Sequence, residues 1–555
     1  MLKTKTFLLF AAVLSLAVVV RFADLGARPM HVDEAVQSYI FADLLEEGVY
    51  RYDPSHFHGP LPHFVNLPLL RALGISSLDI LQAWQFRLQP ALAGLLLVLL
   101  AGACARGSGN SAMWRAMLLA TVSPTLVYFN RMAIHETLLA VCALAVPIAV
   151  ARWQENQKLR WLLVTAAAFG CMHATKETWC IIAFSWAVAA LILWPKKIRA
   201  AIKSAGAWRI ALAVAVAMGV SFLLYSNFGQ RPGGFADAWR TLFAYKTGSG
   251  HEKPWWYFLT DCLGFYRAGG WFAGEGVITL LALAGGAAAW LRRAKTRGAA
   301  GGSVMGRGDL SPLLTGRPAG PQQCKVAHEK RGGGVTSPAV QSGDKSPHST
   351  ETRNIPPLSL FLAISGAAQV VVYSIIKYKT PWLVLVPLAS FVPLAAHGWL
   401  WLRGQAWQGW RNWVTWEARD ALFLSRVALC ALAIVAGLVM PMLAGNFDEP
   451  TSTDYNHAYA PTLPEADAKL ARIAAALPPN ALVAVIGEHY WPLPWYFRTM
   501  RDRAGYFSEL GAPSAEELRA FALVIHAGYQ LDPAVTGPGW RVLELRPGYY
   551  VSVSR

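Results

Sequence analysis

The chain has 555 residues, 54% of them hydrophobic and only 15% charged, and its mean hydropathy is +0.33. That is more apolar side chain than a soluble domain can bury, which excludes a soluble enzyme and leaves a polytopic membrane protein. The net charge of +17 needs no nucleic acid, because much of it falls in short loops between apolar runs, where cytoplasmic basic residues belong.

A transmembrane helix takes about 20 mainly apolar residues. In chain order the sequence offers eleven candidates, at 5–22, 88–105, 113–129, 137–151, 161–174, 178–194, 209–226, 273–291, 358–376, 381–402 and 422–444. The first follows Lys3 and Lys5, has no small-residue cleavage site, and reads as a retained signal anchor. Arg106 and Arg115, then Arg152, Lys158 and Arg160, then Lys196, Lys197, Arg199 and Lys203 fall in every second loop. Arg292, Arg293, Lys295 and Arg297, and later Arg403, Arg411 and Arg419, continue the alternation. The expected orientation in the plasma (inner) membrane is therefore N-terminus cytoplasmic and C-terminus extracytoplasmic. Loop 227–271 carries Arg231, Arg240, Lys246, Lys253 and Arg267 on the outer side, but longer loops obey the charge rule less strictly.

The expected fold class is mainly α, a polytopic helix bundle with a small C-terminal α/β domain. Residues 1–293 form the N-terminal transmembrane module. Residues 294–355, with Gly-Gly-Ser, Arg-Gly-Gly-Gly and scattered Pro, Ser, Lys and Arg, read as a disordered cytoplasmic linker. Residues 356–445 return to the membrane, and 446–555 form the outer domain. Within it Pro464 to Leu477 is helix-like, Ala481 to Ile486 and Phe521 to His526 read as buried strands, and Trp540 to Leu545 with Tyr549 to Val553 as a terminal strand pair. The seven cysteines have neither CxxC spacing nor a disulfide-like framework.

The charged residues gather on the outer face. Asp33 and Glu34 lie in the first outer loop, Arg131 and Glu136 in the second, Lys176 and Glu177 in the third, and Lys377 and Lys379 in a later turn, while most spans have no mid-helix charge. Transporters usually place ionisable groups at the midplane, so this distribution points to an interfacial site. Carboxylates beside cations suit the transfer of a sugar from a lipid phosphate to a hydroxyl: a carboxylate takes the acceptor proton while cations neutralise the departing phosphate. Neither a phosphate-binding Gly-x-x-x-x-Gly-Lys-Ser/Thr loop nor a strand-linked Gly-x-Gly-x-x-Gly is present, as expected of an enzyme with a lipid-borne donor.

Arg28-Pro-Met-His-Val-Asp-Glu-Ala35 after the first span, Tyr50-Arg-Tyr-Asp-Pro, His58-Gly-Pro, Ala174-Thr-Lys-Glu-Thr178 and Tyr378-Lys-Thr-Pro-Trp382 form an ordered set. Together they resemble the GT-C membrane glycosyltransferases. More narrowly they resemble the prokaryotic flippase-activity-associated subfamily, related to the protein O-mannosyltransferases and the aminoarabinose transferases of lipid A. The resemblance covers roughly residues 1 to 400, plus Glu488-His-Tyr-Trp-Pro-Leu-Pro-Trp-Tyr-Phe-Arg498. It implies a glycosyltransferase with a polyprenyl-phosphate-linked sugar as donor and a glycan, lipid or protein as acceptor. It also implies that Asp33 is the catalytic base, Glu34 its neighbour and Glu136 the second acidic residue. Relatives are expected to carry Arg-His-Asp at that last turn, where this chain has Ile134-His-Glu136 and Arg131 upstream.

Arg87, Arg131, Lys176, Lys377 and Lys379 are the candidates for donor phosphate, with snorkelling to headgroups as their alternative role. His58, Glu177, Tyr378, Trp382, Glu488 and Trp491 are candidate substrate contacts; for the aromatic cluster around Trp491, docking onto the membrane core competes with stacking on an acceptor. Asp33 also suits the N-cap of a helix Glu34 to Leu45. His31, His56 and His58 are candidate ligands of a possible divalent metal, against a merely polar loop. The competing function is a non-catalytic accessory or translocase component for lipid-linked glycans.

Overall fold

A computed structural model describes residues 2–55, 57–244, 251–301, 357–408 and 431–554. His56, most of the expected linker and the first half of the expected last span lie outside these residues.

Each expected span that falls within the described residues is helical. The bundle contains α1 (Leu2–Phe22), α4 (Leu88–Ala105), α5 (Asn110–Val122), α7 (Glu136–Asn156), α8 (Leu159–His173), α9 (Trp179–Leu193), α11 (Ala207–Tyr225), α13 (Gly276–Gly301), α14 (Pro357–Ile375), α15 (Leu385–Gln408) and a final helix, α16 (Ala431–Asp448). Six helices among the described residues are long and apolar enough to cross a membrane. A seventh counts if α9 is joined to α10 (Ile198–Ala205), from which it is bent by 116°, and α8 and Phe7–Phe22 are shorter apolar helices. Helix α13 runs to Gly301, eight residues into the segment expected to be linker.

The expected span 113–129 is broken. Pro124 cannot continue the ladder of α5, and Ser123, whose hydroxyl accepts from Leu126 N at 3.2 Å, caps a new short helix α6 (Pro124–Asn130). Buried Glu275 fixes the break by accepting from Ser123 Oγ at 2.8 Å and Thr125 N at 2.9 Å.

The loops at one end of the bundle are helical too: α2 (Val32–Glu47), α3 (Leu61–Ala72) and α12 (Gly233–Ala244), with a hairpin of β1 (Tyr266–Ala268) and β2 (Trp271–Ala273) before α13. The C-terminal domain sits at this same end. Its helix α17 (Pro464–Ala476) covers a five-stranded sheet in the order β4-β3-β5-β7-β6, made of β3 (Val483–Ile486), β4 (Ala504–Phe507), β5 (Leu523–Gly528), β6 (Trp540–Arg546) and β7 (Tyr549–Ser554). Strand β3 pairs in parallel with β4 and β5, and β7 is antiparallel to β5 and β6.

Domain and loop helices share one core. Phe41 and Leu45 of α2 and Leu70 of α3 belong to the same buried cluster as Val483, Trp495 and Ile525. Tyr39 OH donates to Pro494 O at 2.7 Å, and Arg501 pairs with Glu46 at 2.8 Å. The loop helices therefore form a shelf on which the domain rests.

Candidate functional site

The first turn of α2 is built by a capping box. His31 is the N-cap: its Nδ1 accepts from Asp33 N at 3.1 Å, and Glu34 Oε2 accepts from His31 N at 3.1 Å. The cap expected of Asp33 thus belongs to His31, and the Asp33 carboxylate is left for another use.

Glu34 is fully buried and gripped by Arg87, with Nε to Oε1 at 2.7 Å and Nη2 to Oε2 at 2.6 Å, while Ala133 N donates to Oε1 at 2.9 Å. Burial alone would raise the Glu34 carboxyl, but the Arg87 guanidinium outweighs it and holds the group down at about 2. The remaining Arg87 donors reach the carbonyls of Leu25, Arg28 and Pro29 at 2.8 to 3.0 Å. All five N–H groups of Arg87 are used within the protein. Arg87 is therefore a clamp, not the phosphate contact expected from its position. Arg131 is likewise drawn into the fold, donating to the carbonyls of Val20, Ala23 and Asp24 at the end of α1.

Asp33 differs from both. It is half-buried and among the described residues makes no side-chain hydrogen bond or ion pair. It lies close enough to His251 and Tyr459 to act on both electrostatically: burial lowers His251, and the Asp33 charge opposes that shift. His251 Nδ1 and Tyr459 OH are 2.7 Å apart, and His31 Nε2 meets Tyr459 O at 2.9 Å. Trp382, 8% exposed, packs edge-on to His31, Phe129 and Tyr459. The Lys377 turn closes this mouth by pairing with the loop at His251: Lys379 N donates to His251 O at 2.9 Å, Glu252 bridges Tyr378, and the Tyr378 ring lies 4.9 Å from that of His251. Lys377 is exposed, whereas Lys379 is buried with its ammonium turned onto Ile376 O.

A second charged group lies where three loop motifs meet. Gly59 N donates to Thr175 O at 3.1 Å, Leu61 N to Ala174 O at 2.9 Å, and His135 Nε2 contacts Gly59 O at 3.0 Å. A Cβ on Gly59 would stand 2.3 Å from Ala174 O, so only glycine permits this approach. The convergence places Lys176 Nζ 2.5 Å from Glu136 Oε1 and His58 Nδ1 2.9 Å from Glu177 Oε2. Burial would raise Glu177, but His58 and Lys176 hold it down at about 2. His135 stands edge-on to both His58 and His63, and burial lowers His63 to about 3.

Of the proposed metal ligands, His56 lies outside the described residues, and His31 and His58 are not assembled into a site. Both ring nitrogens of His31 are engaged, His58 is bound to Glu177, and among the described residues no three His, Cys, Asp or Glu side chains converge on a point that could hold an ion. Trp491 faces Tyr39 of α2 edge-on at 5.2 Å and gives its carbonyl to Arg546, so it docks the domain. Glu488 is exposed and accepts at its carbonyl from Tyr549 OH; Tyr549 meets Tyr529, which in turn acts electrostatically on Tyr459, so this string of rings leads toward the mouth. Reading the sequence missed His251 and Tyr459. The run Tyr455-Asn-His-Ala-Tyr459, dense in ring side chains just after the last apolar segment, was the available signal.

With that geometry in view, the family described as dolichyl-phosphate-mannose-protein mannosyltransferase matches residues 72–225. A search among curated proteins finds no match. Among solved structures, ArnT from Cupriavidus metallidurans in the apo state aligns over 100% of this chain and 98% of its own, at 16% identity and a TM-score of 0.61. The same protein bound to undecaprenyl phosphate aligns at 16% identity over 98% of this chain and 97% of its own, with a TM-score of 0.56. The oligosaccharyltransferase AglB from Archaeoglobus fulgidus aligns at 12% identity over 94% of this chain and 69% of its own, with a TM-score of 0.50. The fold is thus that of the GT-C proteins. The family match falls within this fold, from the end of α3 to the end of α11.

Proposed function

We propose that this protein transfers a sugar from a polyprenyl-phosphate carrier to an acceptor hydroxyl, with Asp33 as general base. The observation that carries the reading is that, among the described residues, Asp33 alone of the two adjacent carboxylates is left without a side-chain partner, at a mouth roofed by His251, Tyr459 and Trp382. The acceptor oxygen attacks the anomeric carbon, its proton passes to Asp33, and the bond from that carbon to the phosphate oxygen breaks with its electron pair leaving on phosphate. Single displacement inverts the anomeric configuration. Lys176, fixed by Glu136, supplies positive charge for the departing phosphate, with His58 oriented beside it by Glu177 and Lys377 and Lys379 at the rim. The carrier class is supported by the undecaprenyl phosphate named in the complex of the similar ArnT structure and the dolichol phosphate in that of AglB. The loops and the domain lie on the extracytoplasmic side in this reading, and the acceptor is a glycan, lipid or protein. No step is routed through a metal ion, since His31 and His58, the described candidates for holding one, are engaged elsewhere.

The test is to incubate the purified protein in lipid with a panel of polyprenyl-phosphate sugars and follow carrier release by mass spectrometry, comparing wild type with Asp33→Asn. Release that disappears in the variant is expected. Intact donor binding with no release from any donor would instead support a translocase or accessory role, and a product of retained configuration would overturn single displacement.

A further inference from the structure

A cleft lies between the end of α1 and the end of the final apolar helix, lined by Asp24, Leu25, Arg28, Arg131, Asn446 and Phe447, with Arg87 at its back. We infer that this cleft is a second anion site, separate from the Asp33 mouth, that takes the phosphate of an anionic lipid headgroup carrying a hydroxyl, as phosphatidylglycerol does.

Its charges do not balance. Arg28 and Arg131 have no ion pair among the described residues, and the charge of Arg87 is matched by Glu34. Arg21, buried behind them, donates to Asn130 Oδ1 and Ala120 O, neither of which is charged. The carboxylate of Asp24 is exposed and lines the cleft. Among the residues lining the cleft Asp24 alone brings a carboxylate against Arg28 and Arg131, with Arg21 behind them, an arrangement that favours an anion between them.

The guanidiniums are also held ready. Arg28 lies 4.2 Å over the Tyr128 ring and donates to Arg131 O at 3.0 Å; Arg131 lies 4.5 Å over Phe447 and is tied to the end of α1. Stacking fixes each planar fork while leaving edges for phosphate oxygens. Asn446 supplies the complementary feature. It is 5% exposed, its Nδ2 donates to Pro124 O at 3.2 Å, and its Oδ1 is buried without a partner. An unpaired acceptor beside an anion site selects a ligand that brings a donor, which a glycerol headgroup has and a choline headgroup lacks. The height fits as well, because the cleft residues lie just beyond Phe22 of α1 and at the end of the helix Ala431–Asp448, where headgroups meet apolar spans.

The test is native mass spectrometry of the full chain extracted from vesicles of mixed phosphatidylglycerol and phosphatidylcholine, with a parallel arm titrating inorganic phosphate. Wild type and Asp33→Asn are expected to retain phosphatidylglycerol over phosphatidylcholine, and Arg28→Gln to lose that preference by about tenfold, as for one charge-assisted contact. Arg28→Lys, which keeps the charge but not the fork, should fall between them. Should Arg28→Gln unfold, the preference of the wild type for phosphatidylglycerol and its thermal stabilisation by that lipid still decide the matter. Equal retention of both lipids by wild type, or unchanged preference in a folded Arg28→Gln, would overturn the proposal. Displacement of the lipid by inorganic phosphate at equal concentration would overturn the lipid as source.

Discussion

In the first turn of α2, Glu34 is fully buried, with both carboxylate oxygens held by Arg87, Ala133 N and His31 N, whereas Asp33 is half-buried and near enough to His251 and Tyr459 to act on both electrostatically. The two residues share a charge and a sequence position to within one residue. What separates them is about 100° of rotation around a helix. That rotation aims one carboxylate at the interior, where an unpaired charge is costly and a clamp is needed, and the other at a mouth where a base can reach a substrate. Fold and chemistry are thus divided between neighbours, and substitution should separate them.

The largest expected effect is on turnover. Asp33→Asn keeps shape and removes the base, so carrier release should fall by about 10² to 10⁴-fold, while the thermal midpoint stays within error of wild type. The reverse pattern is expected one residue later. Glu34→Gln leaves the Arg87 charge buried without its partner, which should cost about 3–5 kcal/mol of stability, read as a shift in the denaturation midpoint. If Glu34→Gln instead kept full stability and lost only turnover, the division between clamp and base would be wrong.

A smaller effect should appear as a pH dependence of stability. His63 is buried between Phe41 and Tyr50, and burial lowers it from 6.5 to about 3. The folded protein keeps it neutral while the unfolded chain takes up a proton below about 6.5. The unfolded state therefore binds more protons, and stability should fall as pH drops below 6.5, by about 2 kcal/mol at pH 5 and by about 5 kcal/mol at most over the whole interval. His63→Phe, which keeps the stacking and removes the titration, should flatten that slope. An unchanged slope would assign the acid sensitivity elsewhere.

Several of these relationships can be traced in the sequence and others cannot, for physical reasons. The apolar spans, the helix at Pro464 and strands β3, β5, β6 and β7 are visible because periodicity and composition are local. Strand β4 is missed because Ala504-Gly-Tyr-Phe507 is half-buried throughout and does not alternate. The loop motifs mark the right neighbourhood, and Gly59 explains why His58-Gly-Pro and Ala174-Thr-Lys-Glu must come together. The partners within that neighbourhood are set by tertiary contact. Nothing local tells that Arg87 answers Glu34 across 53 residues, or that His251 and Tyr459, 208 residues apart, meet over Asp33. The cap on α2 is displaced by two residues because His31, an uncommon N-cap, takes the place that Asp33 would suit.

The smallest effect tests how far the division extends into the domain. Trp491 meets Tyr39 edge-on, but the shelf is also held by Tyr39 OH on Pro494 O, by Arg501 on Glu46 and by the shared apolar core. Arg546 reaches the Trp491 carbonyl, which survives truncation of the side chain. Trp491→Ala should therefore remove one partly buried aromatic contact, about 1–2 kcal/mol, and leave the acceptor KM unchanged. Tyr39→Ala should cost more, because it removes the ring and the hydrogen bond to Pro494 together, and the double variant should cost less than the sum, since the two rings contact each other. A rise in acceptor KM for Trp491→Ala at unchanged stability would move Trp491 from the docking surface to the substrate, and the mouth would then extend along α2 from Asp33 to Tyr39.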